Sequence, residues 1–145
     1  MSVIGDLERF VRAQDADDTY ACALAELRSG RKTGHWMWFI FPQAAGLGHS
    51  ETSLRYSIAS AAEARAYVDH PVLGPRLLEC MLALNRLRAG TADEIFGRID
   101  AMKLRSSMTL FMRACPQEPA FAAVIDRYFG GKPDARTDRW LAHHP

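Results

Sequence analysis

The residues best suited to chemistry begin with an aromatic segment that runs from His35 to Gln43 and contains Trp36, Trp38 and Phe41. Any of these three rings can stack on a flat ligand, while His35 and Gln43 can supply hydrogen bonds. Consecutive large rings must point in different directions, so some can face the core while others line a pocket. The segment therefore indicates either a core anchor or a pocket wall.

A glycine-containing loop follows the aromatic segment, from Gly46 to Ser50. Glycine lets the backbone approach a ligand and helps form a nest of amides that holds an anion. Gly48 is expected to contribute such amides, and Ser50 to open a helix whose first turn suits a phosphate or carboxylate. The alternative is a plain turn in which Ser50 only caps the next helix.

A second polar cluster is expected on a helix that contains Lys103, Ser106, Ser107 and Thr109. Residues three and four apart lie on one helix face, so Lys103, Ser106 and Ser107 are expected to point the same way. Lys103 can bind an anion or act as a base, and the hydroxyl groups can hydrogen-bond the same ligand. The alternative is that the hydroxyls pack between helices and donate to backbone carbonyls.

These segments are expected to converge on one pocket for a small, flat, anionic ligand such as a nucleotide or nucleotide-sugar. Phosphate would be bound by one or more basic side chains: Arg31, Lys32, Lys103 or Arg105. A hydrolase or glycosidase reaction is open to such a pocket, with His35 or Lys103 as general acid or base. The alternative is a non-enzymatic module that binds a protein or a small molecule.

Composition and charge narrow the class of protein. The 145 residues carry a formal net charge of +1, and 48% of them are hydrophobic. This length predicts a single domain, residues 1–145, and the balance of charge disfavours nucleic acid as a partner. No apolar stretch is long enough for a membrane helix and the first residues do not resemble a signal peptide, so a cytoplasmic location is expected. The oligomeric state is left open.

The three cysteines, Cys22, Cys80 and Cys115, are far apart in the sequence and form no Cys-x-x-Cys pair. They are predicted to be buried thiols rather than disulfides or metal ligands. The five histidines include no His-Glu-x-x-His pair either. No metal and no cofactor is therefore expected.

Helical periodicity dominates the rest of the chain, and no β–α–β alternation is visible. Leucines and methionines at helical spacing between Leu73 and Leu87 mark the strongest amphipathic helix. Helix boundaries are predicted from these residues: caps at Asp6, Asp17 or Asp18, Ser60, Thr91, Asp100 and Asp134, a first residue at Pro119, and stops at Gly30, Gly90 and Gly130. The chain is thus predicted to be an all-α, or nearly all-α, single compact domain of about six to eight helices, with an irregular or short extended aromatic segment.

Several of these motifs occur together in a known family. They are His35-Trp-Met-Trp-Phe-Ile-Phe-Pro-Gln43, Gly46-Leu-Gly48-x-Ser50, Ser60-x-x-Glu63-Ala64-x-Ala-Tyr67, His70-Pro71-x-Leu-Gly74-x-Arg76-Leu77, Lys103-Leu-x-Ser106-Ser107-Met-Thr109-Leu-Phe111 and Tyr128-Phe129-Gly130-Gly131. With them, the chain from Leu7 to Thr137 resembles the bacterial family of domain of unknown function 1810, some members of which are labelled calpastatin. The resemblance implies a single-domain, mainly α-helical protein and little about activity. The calpastatin label is set aside, because a calpain inhibitor is expected to be a disordered repeat protein.

Overall fold

The computed structural model describes residues 6–47 and 50–145, and in these ranges it contains ten α-helices and no β-strand. They are α1 Glu8–Asp15, α2 Thr19–Ser29, α3 Met37–Ile40, α4 Glu51–Arg55, α5 Ala61–Asp69, α6 Leu73–Arg86, α7 Ala92–Phe96, α8 Arg98–Ala114, α9 Pro119–Phe129 and α10 Ala135–Leu141. The number exceeds the predicted six to eight: seven of the helices span seven residues or more, while α3, α4 and α7 have four or five. The all-α prediction is confirmed.

Helix α8 lies at the centre of the fold, where it packs against α5, α7, α9 and α10. Its core-facing residues recur at helical spacing and are buried: Ala101, Leu104, Met108 and Phe111. On another side of the same helix, Lys103 and Ser106 remain partly exposed. The helix therefore carries part of the core on one side and presents polar groups on the other.

The aromatic segment is mostly irregular, and its middle forms the single helical turn α3 instead of a short extended piece. The Trp36 carbonyl accepts hydrogen bonds from the Phe39 and Ile40 N–H groups at 3.0 and 3.2 Å. The turn ends before Pro42, whose ring cannot continue a helix. Extended pairing begins only beyond it, where Ala44 forms an isolated parallel bridge with Ile58. The extended alternative is thus wrong for residues 37–40.

The predicted helix caps are confirmed where the cap and its partner lie three residues apart. Ser60 and Asp134 accept hydrogen bonds from the N–H groups of Glu63 and Thr137, and Thr91 forms a full capping box. Pro119 is the first residue of α9, and α2 and α9 end at glycines with positive φ. Asp6 Oδ1 accepts from the Glu8 N–H at 3.1 Å, although the N-cap position itself is Leu7.

Other predicted boundaries are confirmed only in position or are wrong. Asp18 occupies the N-cap position of α2, as predicted, but its side chain makes no cap hydrogen bond, and both Asp17 and Asp18 adopt left-handed backbone conformations. Helix α8 begins after Gly97, so Asp100 lies inside the first turn, where its negative charge interacts favourably with the helix dipole. Helix α6 ends at Arg86, ahead of the predicted stop at Gly90, because Leu87 turns to an extended conformation.

The cysteines are free thiols with different environments. Cys80 and Cys115 are buried, as predicted, whereas Cys22 is exposed on α2 and the prediction for it is wrong. Burial raises the pKa of the Cys80 thiol to about 12. Cys80 is therefore held as an unreactive thiol at neutral pH.

One carboxylate holds the chain that leads into the aromatic segment. Glu26 Oε1 accepts hydrogen bonds from the N–H groups of Thr33 and Gly34 at 2.7 and 2.8 Å and from Trp36 Nε1 at 2.9 Å. Burial opposes ionisation of this carboxyl, but the hydrogen bonds outweigh it and lower the pKa of Glu26. The ionised side chain thus fixes both the loop after α2 and the Trp36 ring.

This clamp predicts a pH-dependent contribution to stability. A depressed folded-state pKa stabilises the fold above the ordinary glutamate pKa, and the stabilisation is lost as pH falls through the folded-state value. The free energy of unfolding of the wild type should therefore exceed that of Glu26→Gln at pH 6, and the difference should shrink at pH 3. Urea unfolding at both pH values measures it. Glu51→Gln, an exposed glutamate on α4, serves as the control; an equal pH effect in both variants would contradict the clamp.

Candidate functional site

A cleft runs along one side of α8 and brings together parts of all three predicted segments. It encloses about 340 Å³ and is lined by Trp38, Gln43, Leu47, Ile99, Met102, Lys103, Arg105, Ser106, Asp134 and Arg136. We call it the α8 cleft. Ligand pockets usually measure about 300–1,000 Å³, so its size suits a small molecule. A larger groove of about 470 Å³ follows α6 but holds none of the predicted site residues.

At one end of the cleft, Lys103 lies over an aromatic ring. Its Nζ is 4.0 Å from the centroid of the Trp38 ring and 3.3 Å from Asp100 Oδ1. Asp100 Oδ2 also pairs at 2.7 Å with Nζ of Lys32, whose side chain is only 7% exposed. Both contacts of Lys103 are made by the charged ammonium. The pair of lysines around one carboxylate leaves this end of the cleft positive.

At the other end, hydrogen bonds join α8 to the chain that precedes α10. Arg105 donates from Nε to the Lys132 carbonyl at 2.8 Å and from a terminal nitrogen to the Pro133 carbonyl at 3.2 Å. Thr109 Oγ1 accepts from the Asp134 N–H at 2.8 Å. The backbone at 132–134 is thereby fixed against α8.

Asp134 is a structural carboxylate on the wall of the cleft. Its Oδ2 accepts from the Thr137 N–H at 3.0 Å, from Thr137 Oγ1 at 2.6 Å and from Ser106 Oγ at 3.2 Å. One oxygen is therefore saturated as the cap of α10. Arg136 follows in the first turn of α10 and also faces the cleft.

Four of the predicted site residues line the α8 cleft: Trp38, Gln43, Lys103 and Ser106. Trp36 and Phe41 face the core instead, because α3 turns them toward Phe96, with ring centroids 6.4 and 6.2 Å away. Trp36 is 3% exposed and Phe41 is 0% exposed. The aromatic segment is thus both a core anchor and a pocket wall, with different rings in each role.

Ser107 and Thr109 are buried in α8 and do not line the cleft. Thr109 Oγ1 donates to the Arg105 carbonyl at 2.8 Å, the intrahelical bond that was the alternative for these hydroxyls. Ser107 Oγ is the one buried side-chain oxygen or nitrogen without a hydrogen-bond partner in the part of the chain that the structure describes. Neither hydroxyl is placed to reach a molecule in the cleft.

The remaining predicted residues lie elsewhere. His35 is exposed and does not line the cleft, so the structure does not bring it together with Lys103 as an acid–base pair. Ser50 is exposed and caps α4 by accepting from the Ser53 N–H at 3.1 Å. Gly48 lies outside the described residues. Of the basic residues expected to meet phosphate, Lys103 and Arg105 line the cleft, and Arg31 and Lys32 do not.

Sequence reasoning missed the contributions of Leu47, Ile99, Met102, Asp134 and Arg136 to the cleft. Ile99 and Met102 share the α8 face with Lys103 and Ser106 at helical spacing, so the heptad pattern of that helix could have indicated them. Asp134 was predicted only as a helix cap. No sequence signal links Arg136 to α8.

Across residues 6–47 and 50–145, no group of three or more His, Cys, Asp or Glu side chains could hold a metal ion. None of the helices described is both long and apolar enough to cross a membrane.

Comparison with known proteins identifies relatives of nearly the whole chain. Residues 4–141 match the model of the family described as "Protein of unknown function (DUF1810)". The crystal structure of the conserved hypothetical protein Rv1873 from Mycobacterium tuberculosis superposes with a TM-score of 0.91 and 50% sequence identity, over 94% of this chain and 96% of that one. No curated protein matches. The chain therefore belongs to the DUF1810 family, as its sequence motifs indicate.

Proposed function

We propose that the protein binds a small anionic ligand with a flat ring, such as a nucleotide or nucleotide-sugar, in the α8 cleft. The observation that carries the proposal is that one cleft combines the indole of Trp38 with three cationic side chains: Lys103, Arg105 and Arg136. An indole offers a ring with stacking capacity, and cations next to it attract a phosphate or carboxylate. Leu47 and Ile99 supply apolar surface in the same cleft.

Electrostatics support a ligand of negative charge. The lining has one carboxylate, Asp134, against the three cations. The whole chain has a formal net charge of only +1, so the attraction is local to the cleft and does not come from the field of the protein as a whole.

The residues in the cleft favour binding over catalysis. Lys103 is engaged as an ammonium by Asp100 and Trp38, and one oxygen of Asp134 is saturated as a helix cap. His35 lies outside the lining. A non-enzymatic small-molecule-binding module is thus the form of the proposal that we favour. Hydrolase or glycosidase activity stays a prediction, tested by following product formation from any nucleotide or nucleotide-sugar that binds.

Binding is tested by thermal shift and calorimetry with nucleoside mono- and diphosphates and nucleotide-sugars at about 1 mM. A ligand at about one hundred times its Kd stabilises the fold by about 2.7 kcal/mol, which raises Tm measurably. Lys103→Gln should weaken binding about tenfold or more, because it removes a charge-assisted contact. Arg139→Gln, an exposed arginine of α10 outside the cleft, should bind like the wild type. The proposal fails if the wild type binds none of these compounds.

A further inference from the structure

The polar side chains of the α8 cleft divide into two groups, those already bonded within the protein and those without a partner. Arg105 is bonded to two backbone carbonyls, and Ser106 and Asp134 are bonded to each other. Within residues 6–47 and 50–145, the Gln43 amide and the Arg136 guanidinium make no hydrogen bond and no ion pair. A ligand in the cleft therefore meets Gln43 and Arg136 as its unoccupied hydrogen-bonding groups.

Gln43 has a fixed backbone and an unbonded side chain. Its carbonyl accepts from the Ile58 N–H at 2.8 Å, and the parallel bridge between Ala44 and Ile58 follows directly. A carboxamide presents one acceptor and one donor side by side, which matches the edge of a heterocycle with an adjacent donor and acceptor. The Trp38 ring lines the same cleft. Trp38 thus offers a ring face on which a nucleobase can stack, and Gln43 offers a donor and an acceptor for hydrogen bonds to the edge of the base.

Arg136 differs from its neighbour Arg105 in the state of its guanidinium. Arg105 donates hydrogen bonds to the backbone carbonyls at 132–133 and so positions the wall of the cleft. Arg136 is exposed and keeps all its donors. A free guanidinium binds phosphate through two parallel N–H bonds, a geometry that a lysine cannot supply.

The charges in and beside the cleft limit the negative charge of the anion that they can balance. Four cationic side chains and two carboxylates contribute: Lys32, Lys103, Arg105, Arg136, Asp100 and Asp134. They leave a net charge of about two positive, which a phosphate monoester balances at neutral pH. A triphosphate carries more negative charge than these groups can compensate.

From these observations we infer that the ligand is a nucleoside monophosphate whose base edge is hydrogen-bonded by Gln43 and whose phosphate is bound by Arg136. This inference rests on the proposed function, because it assumes that the α8 cleft is the binding site. It separates a base end of the cleft, with Gln43, Trp38 and the Lys103 that lies over the Trp38 ring, from a phosphate end, with Arg136.

The two ends are tested with probes that carry one group each. The probes are the four common nucleoside monophosphates, the nucleoside of the tightest binder, ribose 5-phosphate and the matching triphosphate, titrated by NMR. Gln43→Met should weaken the monophosphate about tenfold and leave ribose 5-phosphate unchanged. Arg136→Gln should weaken both phosphorylated probes about tenfold and leave the nucleoside unchanged. Both side chains lack partners within the described part of the chain, so both variants should keep the wild-type Tm.

The outcomes separate the inference from the proposal beneath it. If the wild type binds no nucleoside phosphate and no nucleotide-sugar, the proposed function fails; if it binds a nucleotide-sugar but no monophosphate, only the inference fails. If the wild type binds monophosphates but Gln43→Met weakens ribose 5-phosphate equally, or Arg136→Gln leaves the phosphorylated probes unchanged, the assignment of the two ends is overturned while the cleft remains a binding site. Tighter binding of the triphosphate than of the monophosphate would also overturn it.

Discussion

Replacing Trp36 with alanine is expected to lower the free energy of unfolding by about 3–5 kcal/mol, the range for truncation of a buried large aromatic side chain. Trp36 is 3% exposed and packs against Phe41 and Phe96. Its Nε1 also donates to Glu26, so alanine removes a hydrogen bond as well as leaving a cavity. Urea unfolding monitored by far-UV circular dichroism measures the loss.

Trp38→Ala is the matched variant, two residues further along. Trp38 is only partly buried and lines the α8 cleft, so the loss of stability should be no more than about 2 kcal/mol. The nucleotide-induced thermal shift should disappear in this variant, since the ring next to Lys103 is gone. Equal losses of stability in the two variants would contradict the assignment of Trp36 to the core and Trp38 to the cleft.

The sequence predicts that the aromatic segment anchors the core or lines a pocket, but it does not predict which ring faces the core and which faces the pocket. Nearly every residue from Trp36 to Phe41 is large and apolar, so no pattern of polar and apolar residues orients the turn. The orientation comes from the single turn α3, which buries Met37 and Ile40 together with Trp36 and leaves Trp38 on another side. A hydrophobic pattern indicates a face only when polar residues mark the opposite one.

Local signals predict helix boundaries well when the hydrogen bond that makes them is itself local. The caps at Ser60, Thr91 and Asp134 each join residues three apart, so the sequence contains the whole motif. Asp100 is an aspartate like Asp134, but it does not cap a helix. Helix α8 extends back to Gly97, which places Asp100 inside the first turn, where it pairs with lysines.

The α8 cleft depends on contacts between residues far apart in the sequence, which no local sequence pattern predicts. Lys103 and Ser106 are indicated by helical spacing, but Arg136 lines the same cleft in a fold where Arg105 binds the carbonyls of Lys132 and Pro133. Those bonds join residues 27 and 28 positions apart. The polar half of the site on α8 was therefore predictable from one helix, whereas the half on α10 required the tertiary fold.

Gly74→Ala is expected to have an effect of similar size, for a steric reason. Gly74 lies in the first turn of α6, which packs against α5. A Cβ at this position would lie 2.0 Å from the Val68 carbonyl oxygen and 3.0 Å from its carbon. Both are backbone atoms, so no change of rotamer relieves the overlap and the two helices must separate. The free energy of unfolding should fall by about 3 kcal/mol or more.

Gly131→Ala provides the control, because Gly131 is required by its backbone conformation and not by a lack of space for a side chain. Gly131 has a φ of +75°, and the nearest atom to an added Cβ is a side-chain oxygen of Asp126 at 3.3 Å. An L-residue in this region costs about 1–2 kcal/mol, and the carboxylate can move aside. The loss in Gly74→Ala should therefore exceed the loss in Gly131→Ala by urea unfolding at neutral pH. The reverse order would mean that α5 and α6 separate easily, and that the close approach at Gly74 contributes little to the packing of the two helices.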